Sequence, residues 1–353
     1  MANGADETYS YFPKVSVIVP IYNGEQDLPG LLDCLMAQTY PAQQVEYLLV
    51  NNGSSDRTPA ILATATTDFA TKGLTFKALS EPNIQSSYAA RNVGIRIAQG
   101  EFLAFTDADC YPNPNWLAAL IRPFTNPTVG LVAGKISALP GKTWVEKYSE
   151  CKDMLSQEHT LKNAFKPYGQ TANLAIRTEA LTQVGLFRPY LTTGGDADIC
   201  WRVQEKSETV GPESGGAWQL HSAPDAIIQH RHRQTIKGLH SQWYRYGTSN
   251  RYLHELHGVR LAWQLPKREE RRALLRWVLR DLPQAIAGAI INRKLNIDKF
   301  MGVPADIYCA RARDLGQQEA ELTEAARQIA NYPSASAQVK TNPSNPSPST
   351  RPA

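Results

Sequence analysis

The chain has 353 residues, of which 42% are hydrophobic, 20% charged and 9% aromatic, with 23 Gly and 23 Pro. That is enough for two domains of about 150 residues, or one large α/β domain with an appendage, and for a core needing no disulfide or metal staple. Its 37 Lys and Arg against 33 Asp and Glu leave a net charge of +4, too weak over this length to mark a nucleic-acid binder.

The first 135 residues alternate strand and helix signals. Val15–Ile21 is a β-branched run of the kind found in a strand buried on both faces. Asp27–Gln38 carries Leu28, Leu31, Leu32, Leu35 and Met36 at helical spacing. Strand Val45–Val50, helix Thr58–Thr71, strand Leu74–Leu79, helix Ser86–Ala98 and strand Phe102–Thr106 follow. Such alternation means βαβ units with right-handed crossovers and a doubly wound, mostly parallel sheet. From Lys142 the pattern changes: one long helix over Thr143–Lys162, a short strand Thr171–Ile176 and a helix Thr178–Val184. A helix then spans Gly194–Glu205, with a loop at Val210–Gly216, a strand at Ala226–Gln229 and a helix over Thr235–Leu253. Arg268 to Ala330 reads as helical, broken near Pro283 and Pro304, and the Ser/Pro-rich tail after Pro333 as disordered.

No uncharged stretch approaches the roughly 18–20 apolar residues that span a bilayer. The first residues also lack the basic and apolar regions of a signal peptide. Cys34, Cys110, Cys151, Cys200 and Cys309 are scattered and form no CxxC pair, so they read as buried reduced thiols. The expectation is a cytoplasmic protein.

In a doubly wound sheet, ligands bind beyond the carboxyl ends of the strands. The first strand ends Pro20-Ile-Tyr22-Asn-Gly24, and the second Asn51-Asn52-Gly-Ser-Ser55-Asp56, where Ser55 or Asp56 suits a helix cap. The fourth ends Thr106-Asp107-Ala-Asp109, a DxD triplet. Two carboxylates there are costly unless paired or bound to a cation, and hard oxygen ligands suit Mg²⁺ or Mn²⁺ bridging a diphosphate.

Val15–Asn23, Asn52–Asp56, Ala90-Arg-Asn-Val-Gly94, Thr106–Asp109, Asn173, Val184–Phe187, Gly194–Arg202, Ile228-Gln-His230 and Gln242–Gly247 occur in this order. The ordered set resembles the motifs of glycosyltransferase family 2, inverting sugar transferases of GT-A fold that use nucleotide-sugar donors. The resemblance covers roughly residues 14–253. It implies that Pro20 and Tyr22 line the nucleobase pocket and that Arg91 contacts the donor phosphates, Arg91 otherwise being a surface cation. Asp107 would hold the ribose side, and Asp109 would ligate the metal, with His230 reaching the metal or the diphosphate unless it is merely structural. Asn52 stands where the family usually has an aspartate, which leaves the favoured UDP-sugar donor open on its base. Gln242 and Arg245 resemble a QxxR element near the acceptor; being i,i+3 they share a helix face, as a plain surface pair also would. Asp196 matches the family's general base, against the alternative of a helix N-cap, and the acid that precedes it in the family is Gly195 here. Asp198 is either structural or an acceptor-site residue.

The implied organisation is an extension over 1–13, a nucleotide-sugar-binding half over 14–140, an acceptor-binding half over 141–255, a C-terminal helical extension over 256–331 and a disordered tail over 332–353. Within the extension, Arg272, Arg276 and Arg280 form a stripe at i,i+4, with Leu274, Leu275, Val278, Leu279 and Leu282 on others and Trp277 nearby. It reads either as an amphipathic element for an anionic membrane surface over 271–294, at the inner face of the membrane, or as a helix packed on the catalytic half. The function implied is transfer of a sugar from a nucleotide-diphosphate donor, with Mn²⁺ or Mg²⁺, to a hydroxyl of a glycan or lipid-linked acceptor, as in polysaccharide biosynthesis. A non-catalytic nucleotide-sugar or glycan-binding protein is the alternative. A Rossmann dehydrogenase is excluded because no GxGxxG follows the first strand.

Overall fold

The computed structural model describes residues 11–206, 218–262, 266–293 and 296–333. The expected loop at 210–216 and the tail beyond 333 lie outside the described residues. Eight strands form one sheet: β1 Val15–Ile21, β2 Val45–Asn51, β3 Thr75–Ser80, β4 Phe102–Thr106, β5 Cys110–Pro112, β6 Val129–Ala138, β7 Asn173–Arg177 and β8 Gln219–His230. Their order is β3-β2-β1-β4-β7-β6-β8-β5. β1 lies between parallel partners β2 and β4 with all seven residues buried, which is why its sequence is apolar without alternation.

The sheet is mixed. β7 pairs antiparallel with both β4 and β6, and β5 pairs antiparallel with β8. Sequence patterning misses β6, whose Val-Gly-Leu-Val-Ala-Gly run has weak strand propensity, and three-residue β5, which is too short to carry a period. β8 is also far longer than the expected four residues, because its polar first half pairs with β6 and gains its order from that partner.

The single helix expected over 143–162 is two, Trp144–Cys151 and Gln157–Leu161. Between them Asp153 and Leu155 take left-handed backbone, φ 49° and 66°. Tertiary bonds override helical continuity here: Gln157 Nε2 donates to the Asn173 carbonyl, and Gln157 Oε1 accepts from the Gln170 amide. Pro304 lies inside helix Ile297–Glu319 rather than breaking it. Pro283 stands in the first turn of helix Leu282–Asn292, following a π-helical turn at Trp277–Asp281 that absorbs its missing amide.

Helix Ile297–Glu319 crosses helix Ile236–His257 backbone to backbone. A Cβ on Gly247 would strike the Arg313 carbonyl, and one on Gly316 the Tyr244 carbonyl. The C-terminal helices are thereby packed onto the helix that carries Gln242 and Arg245. All five cysteines are free, and Cys110, Cys200 and Cys309 are buried.

Candidate active site

The loops after β1 and β2 are stitched together before any ligand arrives. Asn23, at φ 49°, accepts the Ser55 amide on its side chain, and its own amide donates to Ser54 Oγ at 2.9 Å. Asp56, rather than Ser55, receives the Thr58 amide at the start of helix Thr58–Thr71, and it also accepts from the Glu25 amide. Tyr22 is left 56% exposed beside Pro20, an aromatic face open to the cleft.

Arg91 projects from helix Ser87–Ile97 and is buried, so it is no surface cation. Its Nη2 donates to Asp107 Oδ1 at 2.6 Å and its Nη1 to Ser87 Oγ, leaving Nε shielded and unpartnered. Asp109 faces His230, with Oδ1 3.2 Å from Nε2. The strand pairing makes this contact, since Cys110 lies opposite His230 in the β5–β8 ladder. Burial would raise the Asp109 carboxyl, but His230 first and then Arg233 hold it at about 2. Burial lowers His230, and the Asp109 charge more than reverses that shift. Asp109, Cys110 and His230 present ligand atoms within 4.8 Å of one another. Burial pushes the Cys110 thiol well above its usual pKa, and a hard divalent cation prefers the carboxylate and the imidazole as donors. His230 Nδ1 is buried with no partner. This donor set fits a divalent cation. His232, by contrast, is buried, and desolvation with the neighbouring His230 lowers it to about 4.

Asp196 is the second residue of helix Gly195–Lys206, entered through Gly194 at φ 81°, and its carboxylate accepts from Thr171 Oγ1 at 2.8 Å. Burial raises its pKa above the usual carboxylate value, against the opposing pull of Arg91. Helix Ile236–His257 adds Gln242, whose Nε2 donates to the Tyr246 hydroxyl, and Arg245. Neither Arg233 nor Arg245 forms an ion pair among the described residues.

These groups line two connected compartments. One of about 480 Å³ holds Pro20, Tyr22, Asn52, Arg91, Asp107 and Asp109. The other, of about 250 Å³, holds Asp196, His230 and Gln242; both share Arg91, Asp107, Asp109, Arg233 and Arg245.

The family model described as Glycosyl transferase family 2 matches residues 16–191. The chain belongs to glycosyltransferase family 2. It is 36% identical to glycosyltransferase AglE of Haloferax volcanii over 189 residues, covering 53% of this chain and 60% of that protein. It is 28% identical to the pre-mycofactocin glycosyltransferase of Mycobacterium tuberculosis over 273 residues, covering 76% of this chain and 53% of that one. The chain thus spans just over half the length of these curated relatives. Among solved structures it resembles the mannosyltransferase PcManGT from Pyrobaculum calidifontis in complex with GDP-Man and Mn²⁺, with a TM-score of 0.55, 19% identity and 88% of each chain covered. That likeness is one of fold: a GT-A type α/β sheet followed by C-terminal helices.

Two of the departures from the family motifs, at Asn52 and Gly195, have a local cause. Asn52 Nδ2 donates to the carbonyls of Glu81 and Ile84, both at 2.8 Å, which a carboxylate cannot do. Gly195 lies so close to the Tyr88 ring that a Cβ would come within 2.7 Å of Cζ, so no acidic side chain fits there.

Asp198 corrects the expectation of an acceptor-binding residue. It is fully buried, lines neither compartment, and pairs with Arg188 at 3.0 Å, Arg202 at 2.9 Å and His257 at 3.0 Å. Helical geometry explains this: two residues past Asp196, its side chain leaves the helix on another face. The residues that sequence reading missed are Arg233 and Thr171. Arg233 follows β8 at period two from Arg231, but Arg231 is spent on Asp27 and Tyr111, so alternation alone does not separate them.

Burial would raise the Asp198 carboxyl, yet Arg202, His257 and Arg188 hold it far below the usual range. Its stabilisation is therefore present above pH ~4 and lost only in strong acid. Asp198→Ala should cost about 3–5 kcal/mol in urea unfolding near neutral pH, because it leaves buried guanidinium groups unpaired. A loss below about 1 kcal/mol, the level of a surface pair, would contradict this role.

Proposed function

We propose that this chain is an inverting glycosyltransferase that moves a sugar from a nucleotide-diphosphate donor to a hydroxyl of a glycan or lipid-linked acceptor. The observation that carries the reading is the Asp196 carboxylate, free of any ion pair among the described residues, in one compartment with Asp109, His230 and the guanidinium groups of Arg233 and Arg245, which are likewise without an ion pair among those residues. The nucleotide would occupy the larger compartment, with its base against Tyr22. Both Asn52 N–H groups are committed to backbone, so Asn52 offers a base its amide oxygen, an acceptor for a ring N–H such as that of uracil in a UDP-sugar or of guanine.

In such a transfer the acceptor oxygen forms its bond to the anomeric carbon as the bond to the diphosphate breaks, and the leaving diphosphate keeps the electron pair. Asp196 takes the hydroxyl proton; Arg91, Arg233 and Arg245 neutralise charge growing on the phosphates. Asp109 and His230 would hold Mn²⁺ or Mg²⁺, which supplies Lewis-acid neutralisation of the diphosphate. The imidazole donor favours Mn²⁺, the softer of the two. Asp109→Ala should abolish Mn²⁺-dependent nucleotide binding in calorimetry while the melting curve stays cooperative. Unchanged Mn²⁺-dependent binding would refute the metal assignment.

Asp196→Asn keeps the bond from Thr171 and removes basicity. Transfer should fall by roughly 10²–10⁴, with nucleotide affinity unchanged. The wild-type rate should fall with acid through a pKa above the usual carboxylate value, since only ionised Asp196 accepts the proton. A raised folded-state pKa means that ionisation costs stability as pH rises, so the Asn variant should melt no lower than wild type at pH 7. Wild-type turnover in Asp196→Asn would remove it as the base.

The proposal extends to a membrane surface. Lys267 to Asn292 is one continuous rod. Its inner face packs on helix Ile297–Glu319 through buried Ala285, a Glu270–Arg311 pair and a bond from Trp277 Nε1 to the Lys299 carbonyl. Its outer face exposes Leu275, Val278, Leu279, Ile286, Ile290 and Ile291, the last at 77%. Arg271, Arg272, Arg276 and Arg280 are exposed along the same rod. No helix among the described residues is long and apolar enough to cross a membrane. An apolar ridge with arginines complements the surface of an anionic bilayer, whereas a second copy would set arginines against arginines. The protein should float with phosphatidylglycerol vesicles at low salt, and less at high salt. Leu279→Asp/Ile290→Asp and Arg272/Arg276/Arg280→Glu should each prevent flotation. Equal flotation of these variants, or self-association without vesicle binding, would overturn the surface assignment.

A further inference from the structure

A third groove, of about 440 Å³, opens off the compartment that holds Asp196, and of the sequence motifs only the Gln242–Gly247 element reaches it, through Trp243 and Tyr246. It shares Leu155, Gln170 and Tyr246 with that compartment, so a molecule presenting a hydroxyl to Asp196 can continue into it without leaving the protein. Its walls include the rings of Tyr148, Tyr168, Trp243 and Tyr246, with Lys152 and Asp306 among its polar groups. The rings are held by packing: Trp243 meets Tyr246 edge to face at 5.6 Å, and Tyr168 meets Trp201 at 5.7 Å. The polar side is equally fixed, since Tyr148 donates its hydroxyl proton to Asp306 at 2.7 Å and Lys152 Nζ lies 3.0 Å from the same carboxylate. Leu155, which belongs to both cavities, is held in left-handed backbone at φ 66°, a cost that persists only where the surroundings impose it.

The lining selects among ligands. An alkyl chain would cover Lys152, Asp306 and Gln170 without replacing their bonds to water, which is unfavourable. A pyranose ring has an apolar C–H face for the aromatic planes and a hydroxyl edge for the charged and amide groups, the mixture of apolar walls and few polar anchors typical of a small-molecule site. We infer that this groove binds a second sugar ring of the acceptor, so that the acceptor is a glycan of at least two sugars. The inference rests on reading the Asp196 compartment as the place of transfer. It also gives the C-terminal helices a part in acceptor choice, because Asp306 comes from helix Ile297–Glu319, beyond the residues that match the family.

The test separates the groove from the donor site by omitting donor. Saturation-transfer NMR on the full chain would use maltose, cellobiose, mannobiose and diacetylchitobiose, with dodecyl phosphate as the alkyl probe. At least one disaccharide should give saturation transfer to ring C–H protons. Trp243→Ala should raise the concentration for half-saturation by about tenfold or more, the scale expected for loss of an aromatic contact. Trp243 Nε1 has no hydrogen-bond partner among the described residues, so Trp243→Phe removes no bond seen there and should bind as wild type does. Nucleotide binding with Mn²⁺, measured by calorimetry, should be equal in all three proteins, which shows that each is folded. Binding of dodecyl phosphate with no disaccharide signal would overturn the inference, as would disaccharide binding unchanged in Trp243→Ala. Failure of the donor reading would show separately, as absence of nucleotide binding in the wild type.

Discussion

One fully buried amide, Asn173, sets the geometry on which the site depends. Its Oδ1 accepts from Trp116 Nε1 at 2.8 Å, and its Nδ2 donates to the carbonyls of Lys135 on β6 and Ala226 on β8, each at 2.8 Å. Its backbone pairs with Thr106, the residue before Asp107, and its carbonyl receives Gln157. One side chain thus ties the strand that ends in the DxD triplet to the strand that ends in His230. Only an amide can donate twice and accept once in this way; an isosteric aspartate or leucine would leave buried polar groups unpaired at about 1–3 kcal/mol each. Gly134 yields the room, since a Cβ there would meet the amide.

Around this junction the charged groups divide into two kinds. Asp198, Arg188, Arg202 and His257 satisfy one another away from the cleft and hold helix Gly195–Lys206 in place. In the cleft, among the described residues, Arg91 keeps an unpartnered Nε, Arg233 and Arg245 lack ion-pair partners, and Asp196 is held by a hydroxyl rather than a cation. Arg233 and Arg245 line the same cleft, and like charges brought together there are unfavourable for the folded chain alone. That arrangement suits a polyanionic ligand, whose binding discharges the cost.

The strand ends were legible because a buried parallel strand has to be apolar, so the polar residues that follow it mark the ligand edge. The loops after β1, β2 and β4 were located in that way, the resemblance to the family singled out Pro20, Tyr22, Asn52, Asp107 and Asp109 within them, and the structure brings these residues to one cavity. Less was legible where pairing between distant segments creates the element. β5 and the first half of β8 have little local signal, and the helix over 143–162 breaks because Gln157 is claimed by β7. The i,i+3 relation of Gln242 and Arg245 was legible as a shared face, but which way that face points depends on the glycine crossing at Gly247 and Gly316.

By itself the sequence determined the central parallel strands, the acidic loop after β4, the helix that carries Arg91 and the ordered motifs of the family, because each is encoded by local periodicity or by adjacent residues. The tertiary structure alone decided which of two aspartates two residues apart faces the cleft, since a helix turns about 200° between them and only packing chooses its azimuth. It also decided that Asn52 serves two backbone carbonyls, that Gly195 yields to Tyr88, and that an aromatic groove adjoins the site. These outcomes depend on distances between segments far apart in the chain, which no pattern within one segment contains.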